Sequence, residues 1–322
     1  MTETELSTVA QRVMDRYLGV RSGERVLVIC DTRTSRSIPE ALAAQALALG
    51  ADPVITTIAP RAHSGVEPPA AVAAAMLETD VVVSVASTSM YHTEAKGAAQ
   101  RAGVRGCFNA PSREDAWTDG AMTADFVEIR ERSEQLADRL RGARSMRVTS
   151  PAGTDLTASI AGREPKGWLT GICRNPGEAS AYPGGEVSLP PVEGTARGRV
   201  VVERVMTDLG ALSDPITWIV EDGLVTDIQG GPDAVRLVHH VEGIENAGNI
   251  GEIGIGMNPA ARLTDEITES KKRLGTAHVA MGDSAGEYGG TVVCDVHLDG
   301  MVLDAVIEVD GEVVVDRGEV RL

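Results

Sequence analysis

Through roughly the first 145 residues, short continuous apolar runs alternate with Ala/Leu-rich stretches of helical character. Val26 to Cys30 is apolar at every position, as a strand covered on both faces requires. Pro39 to Leu49 reads as a helix, stopped by Gly50 at its C-terminal cap. Val54 to Ile58 is a second strand, Pro69 to Leu77 a second helix and Asp80 to Val85 a third strand. A helix over Thr93 to Ala102, with Gly103 behind it, leads to a short strand near Gly106 to Asn109. Asp125 to Leu140 is a charged amphipathic helix leading out of this region. The pattern predicts a Rossmann-like α/β domain over residues 1–145, built on an open parallel sheet.

From Met146 the texture changes to short β-branched runs punctuated by Gly, Pro and Asp. Asp222-Gly223, Asp299-Gly300 and Asp310-Gly311 read as hairpin turns between alternating strands. One helix is signalled, around Asp233 to His240. The second domain, residues 146–322, is therefore expected to be a mostly antiparallel α+β domain, with the boundary near Gly142 to Arg147. The fold class is α/β plus α+β.

Length and charge narrow the function. The 322 residues suit two domains at ~150 each. A net charge of -17 makes nucleic acid and anionic membranes poor partners. No apolar run approaches the ~20 residues of a spanning helix, and the N-terminal stretch has no basic region followed by an apolar one. Cys30, Cys107, Cys173 and Cys294 are far apart and encode neither a disulfide framework nor a CxxC site. A cytoplasmic homo-oligomer acting on a small molecule is expected. After Val26 to Cys30 comes Asp31-Thr32-Arg33-Thr34-Ser35, with no glycine where a dinucleotide fingerprint would sit.

Candidate chemistry gathers in the second domain. His63 lies in a Pro/Ser/Gly loop, and His239-His240 end the helix, where they suit its dipole. His92 follows the third strand, where open sheets present ligand-contacting residues, and can equally be a residue at a helix start capped by Thr93. His297 and Asp299, two apart on a strand, project from one face. With His278 they make two histidines and one carboxylate, the donor set of a non-haem iron centre and half of a two-zinc site. The bland alternative is that Asp299 shapes a turn before Gly300 and His297 sits at a core edge. Glu186 and Glu252 are acids inside otherwise apolar, glycine-spaced segments, where an unpaired carboxylate costs several kcal/mol and a partner or metal is needed.

The runs Gly251-Glu252-Ile253-Gly254-Ile255-Gly256-Met257-Asn258-Pro259, Leu274 to Gly282, Gly289-Gly290 and His297-Leu298-Asp299 resemble the C-terminal half of the aminopeptidase T family. Pro183-Gly184-Gly185-Glu186-Val187 is similar to that family's first metal-ligand segment, and Gly153-Thr154-Asp155-Leu156 to its domain-entry hairpin. The resemblance covers about Met146 to Gly318 well and the first domain loosely. It implies a metal set of Glu186, Glu252, His278, His297 and Asp299. The family's tyrosine ligand does not carry over: Gly282 to Gly286 stands in its place and Tyr288 comes three residues late. A branch of the same fold, the 2,5-dihydroxypyridine 5,6-dioxygenases, keeps two histidines and one carboxylate around a single Fe(II), and the chain resembles it at least as well.

Two functions follow from the resemblance. The favoured one is a mononuclear Fe(II) dioxygenase acting on a small hydroxylated aromatic or heteroaromatic ring. There His278, His297 and Asp299 hold iron, Glu186 and His92 handle the phenolic proton, and Glu252 stands behind the ligands. A ring pocket could draw on Trp117, Trp168, Tyr182 or Tyr288. The alternative is a leucyl-type aminopeptidase with two Zn, Mn or Co ions among all five residues. The missing tyrosine speaks against the second and the retained Glu252 against the first.

Overall fold

The computed structural model describes residues 3–167 and 169–322. The chain packs as two compact units, Met1–Val127 with Leu169–Gly184 and Glu128–Trp168 with Gly185–Leu322. The first is built on a five-stranded parallel sheet in the order Asp52–Ile58, Arg25–Asp31, Val81–Ser84, Arg105–Cys107, Ala179–Ser180. Val26, Leu27, Val28 and Ile29 are all buried, which is why that strand shows no alternation. Helices Ser37–Ala48, Ala70–Leu77 and Glu94–Arg101 connect successive strands. Thr93 caps the last of these, accepting a hydrogen bond from the Lys96 N–H at 3.2 Å. The strand Ala179–Ser180 has no sequence signal, because two residues carry no period.

Strand Asp52–Ile58 flanks Arg25–Asp31 on one side and Val81–Ser84 on the other, so the winding reverses after the first strand. Ligands of open sheets bind at such a reversal. Here the buried Asp31 carboxylate fills it. It accepts hydrogen bonds from the backbone N–H groups of Arg33 and Ser87, each at 2.8 Å, and from the Ser87 hydroxyl at 2.5 Å. Backbone donors that a phosphate would need are thus taken by a fixed negative charge.

The second unit holds two antiparallel sheets. One has eight strands in the order Leu224–Gln229, Ile216–Glu221, Arg197–Val202, Asp155–Ser159, Ser145–Thr149, Val306–Val309, Glu312–Asp316, Glu319–Val320. The other has six: Gly210–Ala211, Val205–Met206, His297–Val302, Ala277–Gly282, Ile250–Gly256, Glu186–Leu189. Mixed α/β architecture, with a parallel sheet and antiparallel ones, agrees with the fold class read from the sequence. Helices Phe126–Leu140 and Pro232–Val241 stand where the periodicity put them.

Two of the three Asp-Gly pairs make hairpins. Asp222-Gly223 and Asp310-Gly311 have positive φ at both residues (49° and 80°, 49° and 86°), the conformation of a type I′ turn. Asp299-Gly300 is a correction: it lies inside strand His297–Val302, opposite Ala280 and Val279. Its glycine has a packing reason. A Cβ on Gly300 would stand 2.5 Å from Val202 and 3.0 Å from Trp218 of the eight-stranded sheet.

Candidate metal centre

The register of the six-stranded sheet brings the candidate residues together. Directly opposed residues of antiparallel strands share a face, as do residues two apart on one strand. Glu186 lies opposite Gly256, His278 opposite Gly254 and Ala280 opposite Glu252. Across the next ladder Asp299 faces Ala280 and His297 faces Gly282. Glu186, Glu252, His278, His297 and Asp299 therefore all project from one face of one sheet. Gly251 is the extra residue of a bulge in strand Ile250–Gly256, which sets Glu252 onto this face.

Small residues keep the floor open. Ala280 sits between Glu252 and Asp299, and a Cβ on Gly254 would lie 2.1 Å from the His278 ring. Every strand residue of Ile250–Gly256 is buried, with Glu252 and His278 at zero exposure. Asp299 as a turn residue is thereby excluded, since it is buried mid-strand.

The polar atoms converge. His278 Nε2 lies 3.6 Å from Glu186, 3.6 Å from Glu252 and 3.9 Å from Asp299, beyond hydrogen-bonding range of each. His297 Nδ1 is 2.8 Å from the Asp283 carbonyl, which can only accept, so that nitrogen carries a proton. This turns Nε2 toward Glu252 at 3.1 Å and Asp299 at 3.6 Å. The Tyr288 ring lies flat on the His297 imidazole, 4.2 Å between centroids. Glu252, His278 and Asp299 each offer a ligand atom, all within 4.8 Å of one another. Glu252, which the one-ion reading set behind the ligands, thus belongs to the tightest group of donors.

Two cations missed by sequence reasoning complete the cluster. Lys271 Nζ stands 2.9 Å from Asp299 and 3.6 Å from Glu186, and Lys272 Nζ 2.6 Å from Glu186. Both lysines are at least 86% withdrawn from solvent, at side-chain exposures of 14% and 7%. They follow the short helix Ile267–Ser270, and backbone hydrogen bonds between Asn258 and the Lys272 and Leu274 groups pin their loop to the site. In sequence Lys271-Lys272-Arg273 reads as a solvated charge run, so no signal could have marked them.

The charges shape one another. Burial pushes the Glu252 carboxyl up, but His278, His297 and Lys271 together hold it well below the usual range. Asp299 is likewise raised by burial and lowered more by Lys271 and His297. Burial opposes the imidazolium of His297, yet Asp299 and Glu252 raise it to about 10. A proton there sits where carboxylates demand positive charge. Glu186 is pushed up by burial and drawn lower overall by the two lysines, which leaves it ionised and poorly suited to donate a proton.

Not every candidate joins this group. His92 is exposed in the first unit, in the turn before helix Glu94–Arg101, edge-on to Tyr91. His63 is exposed in its loop, and His239 and His240 pair with Glu242 and Asp208 near the end of their helix. Of the aromatic residues offered for a ring pocket, Trp117 and Tyr182 are buried in the first unit and Tyr288 stands at the cluster, while Trp168 lies outside the described residues.

The sequence model of a family described as NicX, 2,5-dihydroxypyridine 5,6-dioxygenase, matches residues 6–322. The chain belongs to this dioxygenase family. The resemblance drawn from the metal-segment motifs is thereby confirmed, and the chain is an enzyme. Family membership implies a metal cofactor, and the buried cluster is a candidate site for it. Among solved structures, 2,5-dihydroxypyridine dioxygenase from Pseudomonas putida KT2440 superposes with a TM-score of 0.82 at 21% identity, over 100% of this chain and 98% of that one. Wild-type AmpT from Thermus thermophilus gives 0.71 at 17% identity, over 99% of each chain. At those identities both likenesses speak for the fold. No curated protein matches the dioxygenase-family chain. Among its described residues, no helix is long and apolar enough to cross a membrane.

Proposed function

We propose that the chain is a mononuclear non-haem Fe(II) dioxygenase that adds both atoms of O2 to a small hydroxylated ring of the 2,5-dihydroxypyridine kind. The observation that carries this reading is a set of buried polar atoms without hydrogen-bond partners: Glu252 Oε1, His278 Nε2 and Asp299 Oδ1. Each such atom costs about 1–3 kcal/mol if nothing satisfies it, and they converge on one spot. A histidine-carboxylate donor set suits a divalent first-row metal, Fe(II) included. The residues fit the ion.

His278, His297 and Asp299 would hold it, with Glu252 close enough to serve as a further ligand or to orient His297. When bound, Fe(II) would supply the one-electron chemistry that couples the ring, itself the source of the electrons, to O2. The chain does the rest. The Asp283 carbonyl holds His297 in one tautomer, with Nε2 inward. Tyr288 covers the outer face of that ring. Lys271, beside Asp299, supplies positive charge for an ionised hydroxyl of the substrate. The buried floor of Gly254 and Ala280 excludes water beneath the donors.

A second reading, a two-metal aminopeptidase, is favoured by one observation: Glu252 stands within 3.6 Å of both histidines, as a ligand shared between ions would. Oxygen uptake with 2,5-dihydroxypyridine, run beside leucine release from a leucyl anilide, separates the two. Iron-dependent oxygen uptake supports the dioxygenase. Zinc-supported anilide turnover without oxygen uptake contradicts it.

We also propose a homo-oligomer. Support comes from the edge strand Asp52–Ile58, where Val54 and Ile55 on opposite faces are 56% and 41% exposed. Light scattering on the purified chain tests this, and a monomer mass at micromolar concentration contradicts it.

A further inference from the structure

The site contains more fixed positive charge than a donor set for divalent ions needs. Glu186, Glu252 and Asp299 bring three negative charges, and Lys271 and Lys272 two positive ones, all within 3.6 Å of a partner. The lysines are not bystanders at a rim. Lys272 Nζ is 2.6 Å from Glu186, and Lys271 Nζ reaches both Asp299 and Glu186. An ammonium group between two carboxylates occupies the position from which a cation would bridge them.

We propose that Lys271 and Lys272 are built-in counter-cations that take the place of a second metal ion, so that this site holds one divalent ion and is converted to a two-ion site when they are removed. The proposal rests on the reading of the cluster as a metal centre. With both histidines neutral, as binding an ion through Nε2 requires, the three carboxylates and two ammonium groups leave one negative charge. One divalent ion turns that into one positive charge, and a second would leave three in a buried pocket. At separations of ~4 Å and an effective dielectric of ~20, that repulsion weakens the second ion by about a thousandfold or more. Glu186 is meanwhile held by lysine and unavailable as a ligand. One excess positive charge also complements a singly ionised hydroxy-aromatic substrate.

The test uses the full-length apo-protein and Co(II) alone, with equilibrium dialysis, metal analysis and the visible Co(II) absorption as readouts. The wild type takes up one Co(II) per chain. The Lys271→Met/Lys272→Met variant, with its fold checked by circular dichroism, takes up two, while Lys271→Arg/Lys272→Arg stays at one. Adding Glu186→Gln to the double methionine variant returns it to one. Since removal of both lysines leaves buried acids unpaired and can cost the fold, Lys271→Met alone gives an independent reading: its first Co(II) binds at least about tenfold more tightly. Two ions in the wild type, one ion in the folded double variant, or unchanged affinity in Lys271→Met overturns the role of the lysines and leaves the metal centre standing. No Co(II) in the wild type overturns the metal centre itself.

Discussion

Gly254→Ala is the smallest change that tests how the site is assembled. A methyl group there would lie 2.1 Å from Cε1 and Nε2 of His278, whereas ordinary contact begins near 3.4 Å. The ring or the strand must therefore move by more than 1 Å. His278 has no empty direction to take, being fully buried on the face that carries Glu252 and Asp299. Overpacking of this kind costs about 1–3 kcal/mol. A 1 Å error in one ligand should also weaken metal binding by about 10–100-fold, as a lost orienting contact does. The assay is a double-mutant cycle by chemical denaturation, with Co(II) titration alongside. In the His278→Ala background the obstruction is gone, so Gly254→Ala should cost little there, and the coupling should exceed about 1 kcal/mol. Equal costs in both backgrounds, with unchanged Co(II) affinity in Gly254→Ala alone, would refute the shared face derived from the register.

His278→Ala, His297→Ala and Asp299→Ala should each abolish metal binding with far-ultraviolet circular dichroism unchanged, and stoichiometric metal in all three variants would place the site elsewhere. Glu252→Gln should keep one iron and lose about 10–100-fold in oxygen uptake if this acid orients His297; loss of an ion from a two-ion site would favour the hydrolase. Arg105 is buried against Glu24, with bonds of 2.9 and 2.7 Å, and burial raises the Glu24 carboxyl while Arg105 and the Arg21 N–H bring it below its ordinary value. That stabilisation is complete above the ordinary carboxyl value of 4.5 and is lost as pH falls through the lower folded-state value. Melting temperature should therefore drop more steeply below about pH 4.5 in the wild type than in Glu24→Gln, and parallel curves would contradict the pairing. Neither ATP, NAD nor duplex DNA should bind at physiological salt, given Asp31 at the sheet reversal and the net charge of -17, and saturable micromolar binding in calorimetry would contradict this.

Most of the architecture was legible because the signals were local. A run such as Val26 to Cys30 reports burial on both faces, and Gly50 and Gly103 end helices at positive φ. The ligand candidates were legible for a different reason: Glu186 and Glu252 are charges in apolar segments, and such residues need partners. What the chain alone did not show depends on pairing between distant strands. Asp299-Gly300 has the composition of a turn, and only its ladder to Ala280 and Val279 makes it strand interior. Lys271 and Lys272 have the look of surface charge until the loop through Asn258 folds them inward. Tyr288 is displaced from the ligand position expected of the peptidases and packs on His297 instead.

The most direct test of the central claim is turnover of 2,5-dihydroxypyridine under labelled dioxygen, using protein purified without air and loaded with one Fe(II) per chain. Mass spectrometry of the product should show both labelled oxygen atoms, with no product from the metal-free chain. Product lacking the label, or leucyl-anilide cleavage as the only metal-dependent activity, would contradict it.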